Sequence, residues 1–168
     1  AGLRISEALG LRLGDLGADG LLIRATKFRK SRLVPLHPSC TAALDRYLAR
    51  RRGLAGAEDN LFVSLQGNGL RYSTVNATFL ELVREMGVHP GPGLVGPRLH
   101  DLRHYFAVRA LEACPPDPSS ITKQTLAVST YMGHVQVAST YWYLRATPSL
   151  ITAGADASEK AWAKGGQR

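Results

Sequence analysis

His100, Arg103 and His104 stand at i, i+3 and i+4 in RLHDLRHYFAVRALEA, a spacing that sets all three on one side of a helix. A second set lies in GHVQVASTYWYLRATP, residues 133–148, where His134 precedes the aromatic run Tyr141, Trp142, Tyr143. A solvated surface trio and a packed aromatic cluster are the plain readings of these two sets. Two chemistries compete with them. His100 and His104 have the H-x-x-x-H spacing of a zinc site, but the protease version needs a Glu directly after the first His. Asp101 stands there, and Arg103 between the histidines would repel a divalent cation, so zinc ranks below phosphate. Arginines grip non-bridging phosphate oxygens with two parallel bonds and keep their charge, which stabilises the charge building up on phosphorus. A lysine or histidine can protonate a departing oxygen, and a tyrosine can attack to form a covalent intermediate.

Helices must carry most of these groups. Apolar spacing predicts helices over residues 3–13, over PSCTAALDRYLARRRG with Ser39 as N-cap, and over YSTVNATFLELVREMG with Ser73 as N-cap. In the last of these Phe79, Leu82, Val83 and Met86 are expected inward. On the helix of residues 98–113 the expected core stripe is Leu99, Leu102, Phe106 and Ala110, bordered by the His-Arg-His trio. CPPDPSS breaks the chain, and Ser120 is expected to cap a further helix to about Met132. LLIRAT and RLVPLH read as two strands joined by a basic hairpin tip, with Pro35 marking the second as an edge. LFVSLQ reads as a short strand or extended turn. Tyr141 and Tyr143 lie about 200° apart on a helix, so one at most can face a given ligand. The fold class expected is mainly α with a small antiparallel β-sheet.

The 168 residues suffice for one domain with a core, and 45% of them are apolar. No apolar run is long enough to span a bilayer as a helix. Cys40 and Cys114 lack a C-x-x-C spacing and read as two reduced thiols. The net charge of +8 points to a polyanionic partner, with the basic residues dense in RATKFRKSR. The run Arg50–Arg52 reads as a solvated helix C-terminus, where cations suit the helix dipole.

GLRISEALGLRLGDL, ATKFRKSRLVPLH, LHDLRHYFAVRAL and MGHVQVASTYWYLRATP resemble, in that order, the four sequence boxes of the tyrosine recombinases, the phage-integrase family. The resemblance covers nearly the whole chain and implies the catalytic-domain fold of that family. It implies catalytic roles for Arg4, Lys27, His100, Arg103, His134 and Tyr143, with Tyr143 the nucleophile and Lys30 the alternative to Lys27. Glu7 and His104 match supporting positions. Arg29, Lys30 and Arg32 of the basic hairpin are expected to contact DNA.

The reaction implied is strand cleavage and rejoining through a 3′-phosphotyrosyl link, with no cofactor and no metal. The partner implied is double-stranded DNA, bound by a homotetramer when the protein is full length. A cytoplasmic location and a role in a mobile genetic element go with it. Residues 1–168 are expected to be a single catalytic domain, truncated at its front, where the family carries a DNA-binding module. The tail, with Leu150, Ile151 and Trp162, is the segment expected to dock on a neighbour. The competing readings are a DNA-binding remnant without chemistry and a type IB topoisomerase-like enzyme.

Overall fold

In the computed structural model of the chain, the structure describes residues 1–24, 31–54, 58–88, 93–115, 117–134, 136, 138, 140, 143 and 152. They fall into two compact units, Leu3–Leu102 with Ala1, and Arg103 onward with Gly2.

In the first unit, α1 spans only Ile5–Leu9 and stops at Gly10. The helix expected over residues 3–13 ends early because Leu11 is drawn into the core, where its carbonyl accepts from the Leu61 amide at 2.7 Å. A single 3-10 turn, Leu13–Asp15, leads into a three-stranded antiparallel sheet of order β1 (Leu16–Gly17), β2 (Gly20–Ile23), β3 (Arg32–Val34). β1 was not legible in the sequence, being two residues long. β3 is an edge, as Pro35 implied, since a proline beside it costs no ladder bond. Gly20 at φ 128° lies so close to the Val34 carbonyl that no side chain fits there. Leu21, Ile23 and Val34 face inward and pack in the unit that also buries Leu11, Leu61, Val63 and Val83.

α2 covers Pro38–Arg51 and α3 covers Tyr72–Glu85. The caps differ from those expected. His37 caps α2, its Nδ1 accepting from the Ser39 amide at 3.3 Å, with Pro38 in the first turn where its missing N–H is harmless. Arg71 precedes α3 in place of Ser73. Arg51 is not solvated: it is buried, and its Nη2 donates to the carbonyls of Glu58 and of Asn60 (2.8 Å), tying the helix end to the following segment. On α3 only Val83 is fully buried, while Leu82 and Met86 are exposed. The inward stripe runs Val75, Phe79, Val83 at four-residue spacing, which leaves Leu82 and Met86 on its flank. LFVSLQ forms a tight turn, with Val63 bridged to Gly69.

α4 spans Leu99–Glu112 and α5 spans Pro118–Met132. The Asp117 carboxylate caps α5 by accepting from the Ser120 amide at 2.9 Å, three residues ahead of the start expected at Ser120. The second unit's core gathers Ala107, Leu111, Val128, Met132 and Tyr143, with Phe106 and Tyr131 stacked at 5.5 Å between ring centres. The buried stripe of α4 is therefore Arg103, Ala107, Leu111, one position on from the one expected, and Leu102 is exposed. Cys40 and Cys114 are free thiols. No helix among the described residues is long and apolar enough to cross a membrane.

Candidate active site

Arg103 is the pivot of the second unit. It occupies the inward stripe of α4 and is only 3% exposed. A buried guanidinium needs partners for its donors. Its Nη1 donates to the Gly2 carbonyl at 2.5 Å and its Nη2 to the Met132 carbonyl at 2.8 Å. Met132 ends α5, where helix carbonyls lack intrahelical partners and the dipole favours a cation. Gly2, at φ 60°, lies so close to the Phe106 ring that a side chain there would displace it.

The Gly-His pair has a conformational cause. Gly133 takes the left-handed conformation, φ 67°, that ends α5. Its amide donates to Thr130 O at 3.0 Å, and the His134 amide donates to Ser129 O at 2.9 Å. This is the two-bond helix ending that glycine permits, and it fixes the backbone of His134. The His134 ring is held in turn by Thr140, which is fully buried, with Nδ1 and Oγ1 2.7 Å apart. Thr140 escaped the sequence reading. Its only signal was a threonine three residues before Tyr143, on the same helical face.

Tyr143 is 4% exposed and belongs to the core cluster, so the packing reading of the aromatic run is correct for this residue as far as burial goes. Its ring nevertheless lies against two histidines. His104 is 5.3 Å away between ring centres and His134 is 6.0 Å away, nearly parallel at 14°. His104 and His134 thus meet Tyr143 in the second unit, where buried Arg103 is bound to Met132 of the same core cluster.

The other candidates lie in the first unit. His100 is exposed on the first turn of α4. Asp101 beside it caps the helix start, accepting from the Arg98 amide at 2.8 Å and from Arg98 Nη2 at 3.2 Å, a structural duty for the residue that stands where a zinc site would need a Glu. Arg4 precedes α1, and the Glu7 carboxylate accepts from its amide at 2.9 Å and from its Nη1 at 2.8 Å. Arg32 reaches the same carboxylate with both Nη atoms, at 3.0 and 2.9 Å. Arg32, one of the residues expected to contact DNA, is thus 14% exposed and paired with Glu7. Burial pushes the Glu7 carboxyl upward, but the bonds from Arg32, from the Arg4 amide and from the Arg4 side chain outweigh it and bring it down to about 2. Asp15, buried and paired with Arg24, is likewise held below the usual carboxylate range, chiefly by the Arg24 hydrogen bond. Lys27, Arg29, Lys30, Tyr141, Trp142, Leu150, Ile151 and Trp162 lie outside the described residues.

Comparison with known proteins bears on the family and the fold. The family model described as the phage integrase family matches residues 1–149. The protein y4rB of Sinorhizobium fredii, named for an integrase/recombinase, is 41% identical over 167 residues, which are 96% of this chain and 53% of that protein. Tyrosine recombinase XerD of Chlamydia pneumoniae is 36% identical, over 89% of this chain and 46% of its own length. The chain therefore spans about half the length of these relatives. Among solved structures, XerA recombinase superposes with a TM-score of 0.68 at 26% identity, covering 84% of this chain and 47% of that one. XerH, solved bound to palindromic difH substrate in a post-cleavage complex, superposes at 0.67 over 94% of this chain and 42% of its own; at 23% identity it speaks to the fold.

Proposed function

The chain belongs to the phage integrase family, the tyrosine recombinases, and on that premise we propose that it is the catalytic domain of a site-specific DNA recombinase. The observation that supports this most is the meeting of Tyr143 with His104 and His134 in the unit that also buries Arg103. A tyrosine packed for stability alone would not call for two histidines on its ring.

Tyr143 Oη bonds to the scissile phosphorus as the P–O5′ bond breaks, leaving a 3′-phosphotyrosyl link. The phenol proton passes to a base, for which His104 is the group against the ring, since His134 is engaged with the phosphate and Thr140. Arg4, Arg103, His100 and His134 bind the phosphoryl oxygens and stabilise their growing charge. Lys27, in the basic hairpin segment, delivers the proton to the leaving O5′. The positive charge comes from side chains, so the chemistry needs no divalent ion. The substrate is double-stranded DNA, the working assembly a homotetramer on DNA, and the compartment the cytoplasm.

The test is a denaturing gel after incubation with nicked duplex DNA that traps cleavage. The chain is expected to form a covalent adduct, and Tyr143→Phe to bind DNA while forming none. An adduct in the Tyr143→Phe protein would move the nucleophile to Tyr141 and reject this assignment.

A further inference from the structure

The two-residue period of β3 turns Arg32 inward beside Val34, while Leu33 between them is 50% exposed. A cation faces in and a leucine faces out, the reverse of what burial of apolar surface selects. What Arg32 meets there is Glu7. The two form a bidentate pair, with side chains 14% and 7% exposed. Arg4 shares the carboxylate, and its amide is tied to it as well. Two guanidinium groups therefore share one carboxylate, and these three side chains together carry a charge of +1. Its three members come from three places, the residue before α1, α1 itself and β3.

We infer that Arg32 is a positioning residue for Arg4: it takes up the Glu7 carboxylate, so that Glu7 anchors Arg4 without cancelling its charge toward phosphate. This rests on the reading in which Arg4 grips the scissile phosphate. Without Arg32, Glu7 and Arg4 form a neutral pair, and the carboxylate draws the guanidinium onto itself as a bidentate partner. Lysine in place of Arg32 restores charge but cannot supply the planar fork. The rival role for Arg32, a direct phosphate contact from the basic hairpin, fails to explain why its side chain is turned in and paired.

Four proteins decide between them: the parent, Arg32→Ala, Arg32→Lys, and Arg32→Ala combined with Glu7→Gln, each checked for folding by circular dichroism. Misplacement of a phosphate-binding group can cost about 10²-fold, which is the loss in adduct rate expected for Arg32→Ala. Arg32→Lys should lose less. The double variant should recover about tenfold or more of the loss, because the charge that captured Arg4 is gone. A direct phosphate contact predicts no recovery, and that result would overturn the inference; a structural role is told apart by the salt slope, which it leaves unchanged.

Salt-titrated DNA binding reads the same switch without cleavage. The slope of log K against log salt should fall by about 0.9 in Arg32→Ala and return in the double variant. Carbon-13 NMR of the Glu7 carboxyl needs no DNA: it should titrate near about 2 in the parent and clearly higher in Arg32→Ala. A Glu7 titration that does not move rejects the pairing. If no protein of the set forms an adduct, the cleavage reading falls, and the salt slopes and the Glu7 titration still decide the role of Arg32.

Discussion

A single hydroxyl carries much of the geometry around Tyr143. Thr140 is fully buried and commits the Nδ1 side of the His134 ring at 2.7 Å. Replacing it with valine keeps the volume and removes the bond. The half-buried imidazole then loses that bond, worth about 0.5–1.5 kcal/mol, and with it one constraint on its orientation. Thr140→Val is expected to lower the melting temperature modestly and the adduct rate by about tenfold or more, a size suited to the loss of one ordering contact near the reacting group. Adduct kinetics beside thermal melts check this. A rate equal to the parent's, with the melt shifted as expected, would restrict Thr140 to packing.

Elements deliver these side chains through their ends more than their middles. α5 delivers His134 through its terminal turn: Gly133 adopts φ 67°, which other residues adopt at a cost of about 1–2 kcal/mol. Gly133→Ala should therefore destabilise the chain by about that amount and depress adduct formation, while Gly133→Asn, which tolerates the left-handed region, should do both less. Denaturant midpoints and adduct rates measure the pair; equal effects of Ala and Asn would mean that backbone conformation is not what Gly133 supplies.

α1 presents Glu7 between two arginines, and the pairing sets a pH window. The Glu7 carboxyl is lowered in the folded chain from 4.5 to about 2. Its stabilising contribution is thus fully present above pH 4.5 and is lost as pH falls toward 2. Asp15, also lowered, acts in the same direction. Urea midpoints followed downward through that window should fall in the parent and fall less steeply in Glu7→Gln. Identical pH slopes in the two proteins would show that Glu7 is not held in its ionised form by folding.

For the whole molecule the governing quantity is charge. A net charge of +8 and the basic segment at residues 24–32 should give DNA binding that weakens with salt, log K falling by about 0.9 per log unit for each phosphate neutralised. Because the proposed chemistry draws on guanidinium, imidazole and ammonium groups, cleavage should proceed unchanged in EDTA. Binding isotherms across a salt series and adduct assays with and without chelator test these together. Activity lost in EDTA and restored by zinc would return His100 and His104 to the metal reading.

Residue types and short spacings determined a good deal by themselves. The four boxes in order were enough for the resemblance to the family, and the three- and four-residue spacing of His100, Arg103 and His104 was enough for a helix, because helix periodicity is written in neighbouring residues. What needed the tertiary structure was every choice between near-equivalent faces and partners. The stripe of α4 is centred on Arg103, Ala107 and Leu111, not on Leu102, because α5 and Gly2 supply carbonyls that satisfy a buried guanidinium. Arg51 is buried because two carbonyls from the next segment receive it. Arg32 turns inward because β3 pairs with β2 in a register that sets it opposite Ile23, within reach of Glu7, a residue 25 positions away. A hydrophobic pattern records which positions can be buried, but a charged side chain goes inside only where a distant partner offsets its desolvation, and that partner is chosen by the fold.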